Sequence, residues 1–228
     1  MTAFLPPLRL VGADLLMDGR IERAAIGLAE GQLRDDRLPE VDLTGYLVLP
    51  GIIDLHGDGF ERQVFPRPTA PFPMAAALQA TDREAAAHGV TTAWLAQSWS
   101  WEGGHRGPDQ AEALMAAVLD HRETGLTDLR VQIRAETHLV EETARLIAAV
   151  ERFRVGYVVF NDHLGEGLAM QRHQPARFAQ WAAKAALDPA ALAHRMEAAR
   201  ARAREVPRAL CQMAEAFDRL GVVYGSHD

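Results

Sequence analysis

The sequence predicts an α/β fold, a parallel sheet whose strands alternate with helices, preceded by a small unit of short strands. Three observations carry this. From residue 46 onward, short apolar runs alternate with amphipathic stretches. Those runs are apolar throughout rather than at every second position, as in strands covered on both faces. Before residue 46 the chain instead shows short strand-like segments separated by Asp-Gly and Glu-Gly turns.

The first unit is expected over residues 1–45. LRLVGADLL and IERAAIGLA flank the turn Asp18-Gly19, and Glu30-Gly31 marks a second turn before a polar stretch to Pro39. The remainder, residues 46–228, is organised around YLVLPGIIDLHGD at 46–58. Its apolar residues Leu47, Val48, Leu49, Ile52, Ile53 and Leu55 lie between Gly45 and Gly57, which predicts a strand buried on both faces. A strand places residues i and i+2 on one face, so His56 and Asp58 at its end can address one point, and imidazole plus carboxylate begins a metal site. Such a pair is weak alone, because most are surface hydrogen-bonding residues.

Repetition strengthens it. RVQIRAE (130–136) is followed by Thr137 and His138, VGYVVFNDH fills 155–163, and VVYGSHD ends the chain at 222–228. Helices are expected between these strands. Residues 73–88 have Pro at the start and Gly89 after the end; 109–124 close on Gly125; and 139–153 carry an apolar face of Leu139, Ala144, Leu146, Ile147 and Val150. VTTAWLAQ at 90–97 is a further buried strand. Residues 166–220, mostly helical, are too long for an ordinary connection and read as an insertion after a strand end.

Composition excludes several classes. The 228 residues are 48% hydrophobic and carry a formal charge of -7, so no global basic field exists to hold nucleic acid or an anionic membrane. A phosphorylated small-molecule substrate would need local cations, and a homo-oligomer is left open. No apolar run approaches a membrane span, and the start MTAFLPPLRL lacks a signal-peptide pattern; a cytoplasmic protein is expected. Cys211, the one cysteine, is expected to be a buried structural thiol.

A parallel sheet closes into a (β/α)8 barrel or stays open, and metal-ligand types at several strand ends favour the barrel, where those ends meet at one mouth. In that arrangement Arg62, Arg67 and Arg106, on loops after the first two strands, stand near the mouth. Arg200, Arg204 and Arg208 recur at helical spacing. They form either a solvated face or a polyphosphate clamp. His88, His121, His173 and His194 are assigned to helix surfaces.

The small β unit, LPGIIDLHGD, and later strand ends in RAE, NDH and GSHD resemble the amidohydrolase superfamily of metal-dependent hydrolases. Within it they are most similar to its phosphonate-catabolism branch, and the likeness runs from about residue 8 to the end. The resemblance implies an incomplete, TIM-like (β/α)8 barrel holding two divalent ions, zinc or manganese. It makes His56 and Asp58 ligands of one metal, Glu136 a bridging carboxylate, and His163 and His227 ligands of the second. Arg62, Arg67, Arg106 and Asp228 are then expected to meet substrate, with His138 and Asp162 orienting ligands.

The implied reaction removes pyrophosphate from a ribosyl methylphosphonate triphosphate. A deaminase or amide hydrolase of the same superfamily, and an inactive chain acting only as a binding subunit, are the alternatives. The chain departs from the family in Leu-Gly-Glu-Gly after Asp162-His163. The family's catalytic Asp at the end of an eighth strand has no counterpart, so the catalytic residue is unassigned; the chain is expected to be C-terminally truncated and inactive alone.

Overall fold

The computed structural model describes residues 5–67 and 70–227, and the chain divides between Ile52 and Ile53 into two compact units. The first is all β. Its strands are β1 (Leu8–Val11), β2 (Asp14–Met17), β3 (Arg20–Arg23), β4 (Ile26–Ala29), β5 (Gln32–Arg34), β6 (Glu40–Asp42) and β7 (Leu47–Val48). They form two sheets, ordered β5-β4-β1-β6 and β3-β2-β7. Asp18 and Gly19, at φ 48° and 76°, make the left-handed turn that joins β2 and β3 antiparallel; its twist matches that of the strands it joins.

In the second unit a curled parallel sheet, half-barrel in shape and five-stranded among the described residues, follows sequence order. Its strands are β8 (Ile52–Gly57), β9 (Val90–Trp99), β10 (Asp128–Glu136), β11 (Tyr157–Asn161) and β12 (Val223–Ser226). α1 (Glu61–Val64) and α2 (Met74–Ala87) precede β9, α3 (Pro108–His121) precedes β10, and α4 (Thr143–Phe153) precedes β11. α5 (Leu164–His173), α6 (Pro175–Lys184), α7 (Pro189–Ala201) and α8 (Val206–Leu220) fill the connection from β11 to β12. No helix among the described residues is long and apolar enough to cross a membrane.

Strand register decides which face does what. Leu95, Val131, Ile133, Ala135 and Val158 share one face and are buried with Leu78, Leu114, Met115, Leu146, Val150, Met213 and Phe217 of α2, α3, α4 and α8. Each fully buried side chain of this size contributes roughly 1.5–3 kcal/mol. The other face carries Gln132, Arg134 and Glu136, alternate residues of β10. α5, α6 and α7 have a core of their own, in which Leu164, Phe178, Ala182, Leu192 and Met196 surround Trp101. There Gly167 leaves room for its neighbours, since a Cβ would lie 2.9 Å from the Met196 methyl and from the Trp181 ring and would force one of them to shift.

Four expectations need correction. The stretch 46–58 is not one doubly buried strand: Pro50 and Gly51 separate β7 from β8, and Leu47, Leu49, Ile53 and Leu55 are 51–61% exposed. β8 is an edge strand with only β9 beside it among the described residues, so its outer side lacks cover. Arg200, Arg204 and Arg208 share no helix face, since they fall in α7, in a single 3₁₀ turn (Ala203–Glu205) and in α8, where Pro207 occupies the first turn. Cys211 is exposed, because α8 turns Ala209, Met213 and Phe217 inward and Cys211 away from them.

The fourth concerns His121, whose side chain is 9% exposed and bonded to Asp82 rather than free on a surface. Asp82 is 2% exposed, and its carboxylate accepts the backbone N–H groups of Leu126 (2.7 Å) and Thr127 (2.8 Å), the Thr127 hydroxyl and His121 Nε2 (3.1 Å). Burial alone would raise its pKa, but these bonds outweigh burial and hold the carboxyl below the ordinary value. Asp82→Asn is therefore expected to cost about 1.5–3 kcal/mol at pH 7, since an amide nitrogen would face donors. A depressed folded pKa gives stability present above the unfolded value of about 3.9 and lost as pH falls through the folded one, so the cost should shrink in acid. Urea titrations of both proteins from pH 7 down to 3 check this; a difference independent of pH would refute it.

Candidate active site

The site lies on the face of the sheet opposite α2, α3, α4 and α8, toward the C-terminal ends of the strands. Gln132 is fully buried in β10; its amide nitrogen donates to the Leu55 carbonyl at 3.1 Å, and its oxygen meets His56 Nδ1 at 2.5 Å. One amide thus fixes both the backbone of β8 and the orientation of the His56 ring. Four residues on, Glu136 is 6% exposed. One carboxylate oxygen accepts the His163 backbone N–H at 3.1 Å and the other makes a close hydrogen bond with His163 Nδ1. The hydrogen bond that the His163 imidazole donates to Glu136 holds its pKa above the ordinary value, against the opposing effects of burial and of Arg134.

His227 follows β12 and completes the group. Its ring centroid is 5.0 Å from that of His56 and 6.5 Å from that of His163. His56, Glu136, His163 and His227, spread over 171 positions of sequence (227 - 56), are therefore neighbours. Among the described residues, however, no three His, Cys, Asp or Glu side chains stand in a ready metal-holding arrangement. Nδ1 of His56 and of His163 are turned to Gln132 and Glu136. The donor chemistry itself fits a divalent ion, because a ring nitrogen held by an amide or carboxylate leaves the other aimed and available, the usual setting of a metal-binding imidazole.

The remaining expected site residues make other contacts. Asp58 is exposed, and its backbone carbonyl accepts the Glu61 N–H at the start of α1. His138 lies 3.5 Å from Asp162 and 3.2 Å from the Thr137 hydroxyl, and Asp162 accepts the Leu164 N–H in the first turn of α5. These two pair with each other, with no bond to Glu136 or His163. Arg62 pairs with Glu84, and Arg67 is exposed, its carbonyl accepting the Ala70 N–H. Asp228 lies outside the described residues.

Arg106 is the best placed of the expected cations. Its guanidinium meets Glu102 at 3.3 Å and Glu61 at 4.0 Å, and this pairing raises its pKa although burial opposes it. Glu102 was not singled out by sequence reasoning. Its side chain is 2% exposed, takes the Trp181 indole N–H at 2.5 Å, and leaves its backbone carbonyl to Arg195 at 2.7 Å. It ties the loop after β9 to α6 and α7. Gln132 was missed as well, though the alternation Gln132, Arg134, Glu136 in RVQIRAE placed it on the face of Glu136.

Beside His163 lies a pocket of about 270 Å3 lined by His105, Arg106, Glu166, Met170, Arg177, Gln180, Trp181 and Lys184. A second, also about 270 Å3, shares His105 and Lys184 and adds Glu61, Arg62 and Phe65. Burial, then the neighbouring Arg106 charge, lowers the His105 pKa, which keeps that ring neutral near pH 7. A larger cavity of about 530 Å3 lies at the opposite, N-terminal ends of the strands, against Trp94, Asp128, Arg130, Gly156 and Val223. It contains none of the site residues.

No family model matches the sequence. Among solved structures, the chain aligns with a crystal structure of an uncharacterized protein at 14% identity and a TM-score of 0.29, covering 97% of this chain and 78% of that one, a likeness too loose to speak to function. Among curated proteins, it is 26% identical over 159 residues to the alpha-D-ribose 1-methylphosphonate 5-triphosphate diphosphatase of Escherichia coli (strain K12), over 65% of this chain. The alignment spans 42% of that relative's length. The chain thus bears a distant likeness to a hydrolase of phosphonate metabolism.

Proposed function

We propose that this protein is a metal-dependent hydrolase of the amidohydrolase type that cleaves a phosphoric anhydride. The substrate in this reading is a ribosyl phosphonate triphosphate, which releases pyrophosphate. The observation that carries it is the meeting of His56, Glu136, His163 and His227 at or just past the ends of parallel strands, in a chain distantly similar to such a diphosphatase. In this reading the sheet belongs to a (β/α)8 barrel, and His56, Asp58, Glu136, His163 and His227 hold two divalent ions, zinc or manganese. Metal bound there supplies a Lewis acid that acidifies water and neutralises phosphoryl charge.

The chain's own residues prepare that chemistry. Gln132 and Glu136 fix the two imidazoles in place, so little reorganisation remains when substrate arrives. Arg106, held in place by Glu102, presents its guanidinium to the pocket beside His163, where phosphoryl oxygens would lie. The test offers the ribosyl triphosphate and, separately, amide and aminopurine substrates to the protein with zinc or manganese. Pyrophosphate release that ceases on chelation would establish this reading and would overturn the expectation, drawn from the missing eighth-strand Asp, that the chain is inactive alone. Ammonia would move the assignment to a deaminase or amide hydrolase, and neither product in the presence of bound metal would leave only a binding role.

A further inference from the structure

α6 presents a polar face that the anhydride chemistry does not itself require. Arg177, Gln180, Trp181 and Lys184 recur at i, i+3, i+4 and i+7, which places them on one side of the helix, while Phe178 and Ala182 point into the core on the other. That polar side forms a wall of the pocket next to His163. Its cations are available. Among the described residues, Arg177 bonds only to the neutral Gln174 amide, at 3.3 Å, and Lys184 has no ion pair. Arg106, across the pocket, is already balanced by Glu102.

Lys184 also lines the adjoining pocket together with Arg62 and His105, so the two cavities meet along it. The negative side chains present are Glu166 in the first pocket and Glu61 in the second, and Glu61 faces Arg106. Glu102 and Glu84 balance Arg106 and Arg62, which leaves Arg177 and Lys184 as the cations of these walls without a carboxylate partner among the described residues, two helical turns apart on α6 or about 10 Å at 1.5 Å per residue. A compact anion such as orthophosphate cannot span that distance; a linear chain of phosphates can.

We propose that this α6 face, through Arg177 and Lys184, binds the polyphosphate chain of the substrate. The inference rests on the phosphoric-anhydride reading and assigns its specificity to two residues of the helical connection. A guanidinium suits bidentate contact with phosphate oxygens, and an ammonium adds a point charge farther along the chain. Glu102, by anchoring Trp181, positions α6 against the site.

The experiment is calorimetric titration with inorganic tripolyphosphate, pyrophosphate and orthophosphate in EDTA, so that neither metal nor turnover enters. Tripolyphosphate is expected to bind most tightly and to weaken as salt rises. Arg177→Ala with Lys184→Ala should weaken it at least tenfold, whereas Arg172→Ala, an exposed arginine of α5 outside the pocket, should leave it unchanged. Circular dichroism of each variant checks that α6 remains folded. Equal binding by the double variant, equal loss in Arg172→Ala, or citrate binding as tightly as tripolyphosphate would overturn the proposal. Failure of the hydrolase reading looks different: tripolyphosphate binds through Arg177 and Lys184, yet no pyrophosphate is released with metal.

Discussion

Glu136→Gln is expected to lower pyrophosphate release by about 10²- to 10⁴-fold and zinc affinity by at least about tenfold. The carboxylate is nearly buried and does two things at once, accepting the His163 backbone N–H and holding Nδ1 of the same residue. An amide can accept one of these bonds but presents N–H to the other, so the His163 ring loses its fixed orientation. It also loses the negative charge that a divalent ion requires of its surroundings. The backbone bond keeps the connection between β10 and α5 in place, so the thermal midpoint should move far less than the rate. Zinc titration by calorimetry and a pyrophosphate assay separate these effects. A variant that binds zinc like the parent and turns over within threefold of it would remove Glu136 from the site.

Glu102→Ala should destabilise the second unit by about 3–5 kcal/mol, through a different mechanism. This side chain balances Arg106, accepts the Trp181 indole and sits over the Ser100 hydroxyl, all in a water-poor setting. Its loss leaves a half-buried guanidinium with only Glu61 at 4.0 Å and a tryptophan N–H without its acceptor. Most of the cost is then the stranded partners and not the lost attraction itself. Pairing Glu102→Leu with Arg106→Met should for that reason recover much of the stability, although pocket charge is lost. Denaturant titration of the single and double variants forms a cycle that reads the coupling. Limited proteolysis of Glu102→Ala should cut first around α6, because Trp181 loses its anchor to the loop after β9 while Arg195 keeps the backbone carbonyl of residue 102. A single variant within 1 kcal/mol of the parent, or a double variant no better than the single, would show that the cluster is incidental.

How much of this was legible in the sequence varies from residue to residue. The alternation of β9, α3, β10, α4 and β11 was readable, since helical and extended periodicity depend on neighbours a few positions away. Gly19 and Gly221 mark a turn and a helix end for the same local reason, both at positive φ. The residue types at the strand ends were visible too, because a parallel sheet exposes those ends together. By contrast, the apolar run of β8 looked like a buried strand, and its exposure depends on having a neighbour on one side only.

What the sequence by itself determined is therefore the order and kind of the elements and the location of His56, Glu136, His163 and His227 at strand ends or just past them. Only the tertiary structure decided that Gln132 orients His56 across 76 positions, that Glu102 reaches Trp181 across 79, and that the row Arg177 to Lys184 faces His163. The reason is physical. A local pattern sets which face of an element is polar, but the identity of the group opposite that face depends on how distant elements pack, and no spacing along the chain encodes it.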